Sequence, residues 1–191
     1  MSDLPKLDPS KTALVLIDLQ QGIMGMPVAP HSAAAVLSQA AMLAERFRKV
    51  SAPVVLVRLS FGPGGVDALK QPSDAPPNFS PPAGWDQLAP ALGNDERDIR
   101  ITKHQWGAFY GTELDLQLRR RGVQTIVIGG ISTNFGVEST ARDAFERSYA
   151  LIFVEDAMSA LSAEAHTFAV TTIFPRLGRI RSAQAVLDAL A

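Results

Sequence analysis

Short apolar runs alternate with helical patterns about six times along this chain, and no other feature constrains its fold as much. The runs are ALVLID (13–18), VVLVRL (54–59), DIRITK (98–103), TIVIGG (125–130), ALIFVED (150–156) and GRIRS (178–182). Continuous β-branched runs suit strands covered on both faces, the usual condition of a parallel sheet. DIRITK alternates and reads as a more exposed strand, while GRIRS reads as an edge strand. Strand and helix in turn predict a mostly parallel sheet with right-handed crossovers and helices on both faces.

The intervening segments carry helix signals. Residues 31–50 place Ala, Val and Leu at helical spacing before "SAP" stops them. Thr112 is set to cap ELDLQLRRR, with Asp115 in a capping-box position and Gly122 as the stop. A helix follows the fourth strand from about Val137 to Arg147. Ser162 opens AEAHTFAVTTIF, with Pro175 as its stop, and AQAVLDAL forms the last helix. Between Ser60 and Arg97 the chain is rich in Pro and Gly, and a loop this long usually covers a site or meets a neighbouring subunit.

A length of 191 residues suits one domain, expected over 1–191 without repeat or linker. The net charge of -1 offers no footprint for nucleic acid or an anionic membrane, so small molecules or copies of itself are the expected partners. The opening "MSDLPKLDPSKT" lacks a signal-like apolar region and no window is apolar enough to span a bilayer, so a cytoplasmic location is expected. Zero cysteines exclude disulfides, thiolate metal sites and thiol catalysis together.

In open α/β sheets the ligand crevice lies beyond the strand carboxyl ends. Asp18, Lys103, the Gly130 turn and Asp156 all stand at such ends and are expected to converge. Asp18 follows an apolar run, so desolvation raises its pKa and a nearby lysine lowers it. Taken singly, Asp18 could cap the following loop and Lys103 could be a surface lysine; together they make a carboxylate–ammonium pair suited to acid–base chemistry. The turn GGISTNFG is either a ligand-facing loop with exposed N–H donors or a tight connection capped by Ser132 or Thr133. Trp106, Phe109 and Tyr110 are either packing residues or an aromatic wall for a flat ligand. His31, His104 and His166 show no metal-binding spacing, and FGPGGVD is no phosphate loop, so neither metal nor cofactor is expected.

The patterns D-L-Q (18–20), K-x-x-x-x-A-F-x-x-T (103–112) and G-x-x-T-N-x-x-V-x-x-T-A-R (130–142) resemble the isochorismatase-like hydrolases, also called the cysteine hydrolase family. The resemblance spans nearly the whole chain and implies a three-layer α/β/α fold with a six-stranded parallel sheet. It places the catalytic aspartate at Asp18, the lysine at Lys103, and the nucleophilic cysteine of most members at Gly136, where this chain has no thiol. Gln20, Trp106, Phe109, Ser132, Thr133 and Phe135 are the candidate substrate-binding residues. The nicotinamidase metal ligands after the second strand have no counterpart in RLSFGPGG. Within the family, the segments are similar to those of bacterial members of the YecD type, and the resemblance further implies a cis peptide at Ile131–Ser132 and a homo-oligomer, dimer or tetramer.

Without a thiol, acyl-enzyme chemistry lacks its nucleophile, and neither Ser132 nor Thr133 has an evident histidine base. The expected function is cysteine-independent hydrolysis of a small anionic or unsaturated metabolite, with enol ether cleavage by Asp18 and Lys103 favoured. The alternatives are a ligand-binding homologue without turnover and an amide hydrolase using Asp18-activated water.

Overall fold

A computed structural model describes residues 4–74 and 81–190; residues 75–80 of the long Pro/Gly loop lie outside the described residues. The strands are β1 (Thr12–Ile17), β2 (Val54–Leu59), β3 (Ile99–Lys103), β4 (Thr125–Ile131), β5 (Ala150–Ser159) and β6 (Arg179–Arg181). The helices are α1 (Gln21–Met24), α2 (Ala33–Lys49), α3 (Leu114–Arg120), α4 (Glu138–Glu146), α5 (Ala163–Phe168), α6 (Phe174–Leu177) and α7 (Ala183–Ala189).

All six strands join one sheet in the order β3-β2-β1-β4-β5-β6, and every strand pair in it is parallel. The direction of winding reverses between β1 and β4, so the crevice rule puts a site where these two strands end. Alternation within β1 explains the layers. Ala13, Val15 and Ile17 pack in one apolar cluster with Leu114 and Leu118 of α3, Ala141 and Ala144 of α4, and Phe174 of α6. Leu14 and Leu16 face the other way, against Val36, Ala40, Leu43 and Phe47 of α2 and Val186 of α7. This is the three-layer α/β/α arrangement that the resemblance implied.

Several local expectations change. Helix α3 begins at Leu114, and Thr112 Oγ1 accepts from the Leu114 N–H at 3.1 Å while donating to the Ala108 carbonyl. The capping box does not form, because Asp115 accepts a hydrogen bond from the Tyr149 hydroxyl at 2.8 Å instead. Pro175 does not stop the helix opened by Ser162. A π-helical turn over Ala169–Ile173 restarts the chain, and Pro175 then sits in the first turn of α6, where its missing N–H is not needed. Strand β5 runs to Ser159 through a register shift opposite Ile128/Gly130. Asp156 accordingly leaves the expected site: its Oδ1 accepts the Ala183 N–H at 2.7 Å and holds the start of α7.

Candidate active site

Asp18 directly follows β1, and its φ of 54° lies in the left-handed region that non-glycine residues rarely enter. That bend turns the carboxylate toward β3. Two strand spacings separate β1 from β3, roughly 10 Å, which a lysine and an aspartate side chain can span together. Lys103 Nζ lies 2.8 Å from Asp18 Oδ2 and donates to the Trp106 carbonyl at 2.6 Å. Both side chains are buried, so Lys103 is not a surface lysine and the pair is withdrawn from solvent. Asp18 Oδ1 is buried without a hydrogen-bond partner among the described residues. The Leu59 N–H weakly lowers the Asp18 pKa, yet it is committed to Gln20 Oε1 at 2.8 Å. Burial outweighs Lys103 and pushes the Asp18 carboxyl up to about 6.

The turn after β4 meets this pair from the other side. Gly130 has a φ of 126°, and a Cβ there would come within 2.1 Å of the Ile17 carbonyl oxygen, so only glycine lets the turn close on β1. The Ile131–Ser132 peptide is cis, as expected. Gly136 follows in a π-helical turn, Thr133–Val137. A Cβ built on Gly136 would stand 3.1 Å from Asp18 Oδ2 and 3.3 Å from Lys103 Nζ, so a side chain at this position faces both members of the pair. Thr140, which the sequence reading passed over, ties the halves of the site together. Its hydroxyl donates to the Gly136 carbonyl at 2.6 Å and accepts the Ala108 N–H at 3.1 Å.

The six candidate substrate contacts divide. Trp106 and Phe135 pack ring against ring, centroids 4.8 Å apart, and Trp106 remains 61% exposed. Ser132 is half-buried and donates to Asn134 Oδ1 at 3.0 Å. Phe109 lies in the core against Tyr149. Gln20 is fully buried, and its amide donates to the Leu59 carbonyl at 2.9 Å while accepting the Leu59 N–H, which fixes the end of β2. Thr133 is also fully buried, with Oγ1 2.9 Å from His166 Nδ1.

That last contact corrects one expectation, since Thr133 does have a histidine beside it. The His166 ring is held by Glu155 as well, and the side-chain position that faces Asp18 and Lys103 is that of Gly136, not Thr133. The fold also assembles a cluster that spacing along the chain concealed. His31 Nε2 and His166 Nε2 lie 2.8 Å and 3.2 Å from the same Glu155 Oε1. The third histidine stands apart, His104 Nδ1 being 2.6 Å from the Ser60 carbonyl oxygen.

Size does not locate the site. Two surface hollows of about 400 and 480 Å³ open beside the amino ends of the strands, lined by residues such as Pro53 and Val54 or Thr12 and Thr125. Neither contains Asp18 or Lys103, which stand at the opposite, carboxyl edge of the sheet. No described helix is long and apolar enough to cross a membrane.

Sheet order, the left-handed Asp18, its buried ammonium partner and the glycine turn together define a parallel α/β protein with a carboxylate–ammonium pair at its strand ends. The comparisons with known proteins agree: a family model described as the Isochorismatase domain matches residues 12–185, and the chain belongs to the isochorismatase family. It is 52% identical over 186 residues to the isochorismatase family protein YecD of Escherichia coli O157:H7, covering 97% of this chain and 99% of that one. A solved isochorismatase family protein from Burkholderia thailandensis superposes with a TM-score of 0.92 at 50% identity, covering 98% and 99% of the two chains. More distantly, the ureidoacrylate amidohydrolase RutB of Methylobacterium radiotolerans is 29% identical over 211 aligned positions, covering 96% of this chain and 81% of its own.

Proposed function

We propose that this chain hydrolyses a small, anionic or unsaturated metabolite without a covalent acyl intermediate, using Asp18 as the acid and Lys103 as its electrostatic partner. The observation that carries the reading is the Asp18 carboxyl itself, raised to about 6, with Oδ1 buried and unpartnered among the described residues and Oδ2 facing the Gly136 position. An acid poised near neutrality suits proton transfer at physiological pH. With glycine at the nucleophile position, the relatives' amide chemistry lacks its thiol here, and cleavage of an enol ether is favoured.

In that reaction the Asp18 O–H bond breaks as a C–H bond forms at the terminal enol carbon. Water adds to the oxocarbenium ion and returns a proton to the Asp18 carboxylate, and the hemiketal collapses to a ketone and an alcohol. An ammonium group has three donors. Asp18 and the Trp106 carbonyl take two from Lys103, leaving the third for a substrate carboxylate. Trp106 and Phe135 would lie along an unsaturated ligand, and the exposed Trp106 and Tyr110 are the surfaces through which a homo-oligomer would close the site.

Isochorismate, nicotinamide, ureidoacrylate and simple amides, each incubated with purified protein and followed by mass spectrometry, test the assignment. The expected result is turnover of an enol ether substrate that falls by about 10²–10⁴ in Asp18→Asn, the usual contribution of a positioned acid. Undiminished turnover in Asp18→Asn removes the acid role. Saturable binding with no product from any substrate in the panel favours a ligand-binding homologue, and product from the amides alone favours Asp18-activated water.

A further inference from the structure

We propose that His31, Glu155 and His166 form a binding site for a divalent transition-metal cation of the zinc class, through the two Nε2 atoms and one carboxylate oxygen. Two imidazoles and a carboxylate are a donor set that suits zinc and its neighbours when further positions stay open to water. The three ligand atoms all lie within 4.8 Å of one another. Tetrahedral coordination with bonds of about 2.0–2.1 Å puts neighbouring ligand atoms about 3.3 Å apart. The two nitrogen–oxygen separations, 2.8 and 3.2 Å, need a small outward movement to meet that value, and the two imidazole nitrogens, within 4.8 Å of each other, would draw together. A cation would bind each ring as the neutral tautomer, with the ring proton on Nδ1 and the Nε2 lone pair on the ion.

The cluster is built rather than assembled from loose surface side chains. Ala29 and Ala160 exchange backbone hydrogen bonds at 2.8 and 3.0 Å, and Ser159 Oγ donates to the His31 carbonyl at 2.8 Å, so the loop bearing His31 is fastened to the end of β5. Glu155 comes from β5 itself and His166 from α5. The His166 side chain is only 3% exposed, and its Nδ1 meets Thr133 Oγ1 at 2.9 Å. Metal-bound histidines commonly have such an outer partner, which fixes the ring and leaves the other nitrogen for the ion. His31 and Glu155 remain about one-third exposed, which gives an ion its entry and leaves room for water ligands. Because Thr133 belongs to the same turn as Gly136, occupancy here would stiffen the wall of the catalytic crevice.

The test is titration of chelator-treated, tag-free protein with Co²⁺, read as visible ligand-field absorption, and with Zn²⁺ by calorimetric competition. One equivalent per chain is expected. His31→Ala and Glu155→Gln should weaken Zn²⁺ binding by more than 100-fold, beyond the roughly 10–100-fold expected for the outer-partner variant Thr133→Val. Asp18→Asn should bind the ion as the wild type does, which separates this site from the catalytic pair whether or not that pair turns substrate over. Circular dichroism confirms that each variant is folded, and His31, being partly exposed, is the substitution least able to disturb the core. A wild-type protein with no saturable cobalt band, or stoichiometric Zn²⁺ binding that survives both His31→Ala and Glu155→Gln, overturns the proposal.

Discussion

Replacing Lys103 with methionine should alter the pH dependence of stability in a way that follows from the buried pair. In the wild type, burial raises the Asp18 pKa from its ordinary 3.8 to about 6. A carboxyl raised in the folded state stabilises fully below its unfolded pKa, and that contribution is lost as pH climbs to the folded pKa. Each unit is worth about 1.4 kcal/mol, so Asp18 removes about 3 kcal/mol between pH 4 and 6, after which the curve levels. Methionine fills similar space but removes the largest influence holding that pKa down. Unpaired buried carboxyls reach about 8–9. The variant should therefore keep losing stability above pH 6, and by pH 8 its deficit should exceed the pH 5.5 value by about 2 kcal/mol. Urea unfolding at half-unit intervals from pH 5 to 8 measures this, with the denaturant slope checking that the transition stays two-state. An offset between the two proteins that is constant across this range would refute the claim that Lys103 sets the charge of Asp18.

Two further substitutions probe the turn. Gly136→Ala places a methyl 2.9 Å from Ile17 Cγ2 and against both charged groups, an overpacking that costs about 1–3 kcal/mol, partly offset by alanine's better helix propensity. The melting temperature should fall by about 2–4 °C per kcal/mol, and a value at or above wild type would show that the site has room the geometry denies. Thr140→Val keeps the shape but strands the Ala108 N–H, a loss of about 1–3 kcal/mol. Faster hydrogen exchange at the Ala108 amide should accompany it, whereas unchanged protection and stability would mean that Thr140 does not bridge the two segments.

The apolar runs by themselves specified the parallel strands, because a strand buried on both faces needs continuous β-branched side chains and leaves that composition in the chain. The same runs located Asp18 and Lys103, since both stand where a run ends. The lack of cysteine, read against the family pattern, identified Gly136 as the altered position. Tertiary structure decided what sequence distance hides. Asp18 and Lys103 meet because β2 lies between β1 and β3 and their side chains reach across it. Asp156 looked equivalent to Asp18, but a register shift turned it to the start of α7. Gln20, Phe109 and Thr133 belong to motifs that read as ligand contacts, yet packing turned their side chains inward to neighbours absent from any local pattern. His31, Glu155 and His166 carry no common spacing at all, because a loop, a strand and a helix supply one each and only the folded sheet brings them together.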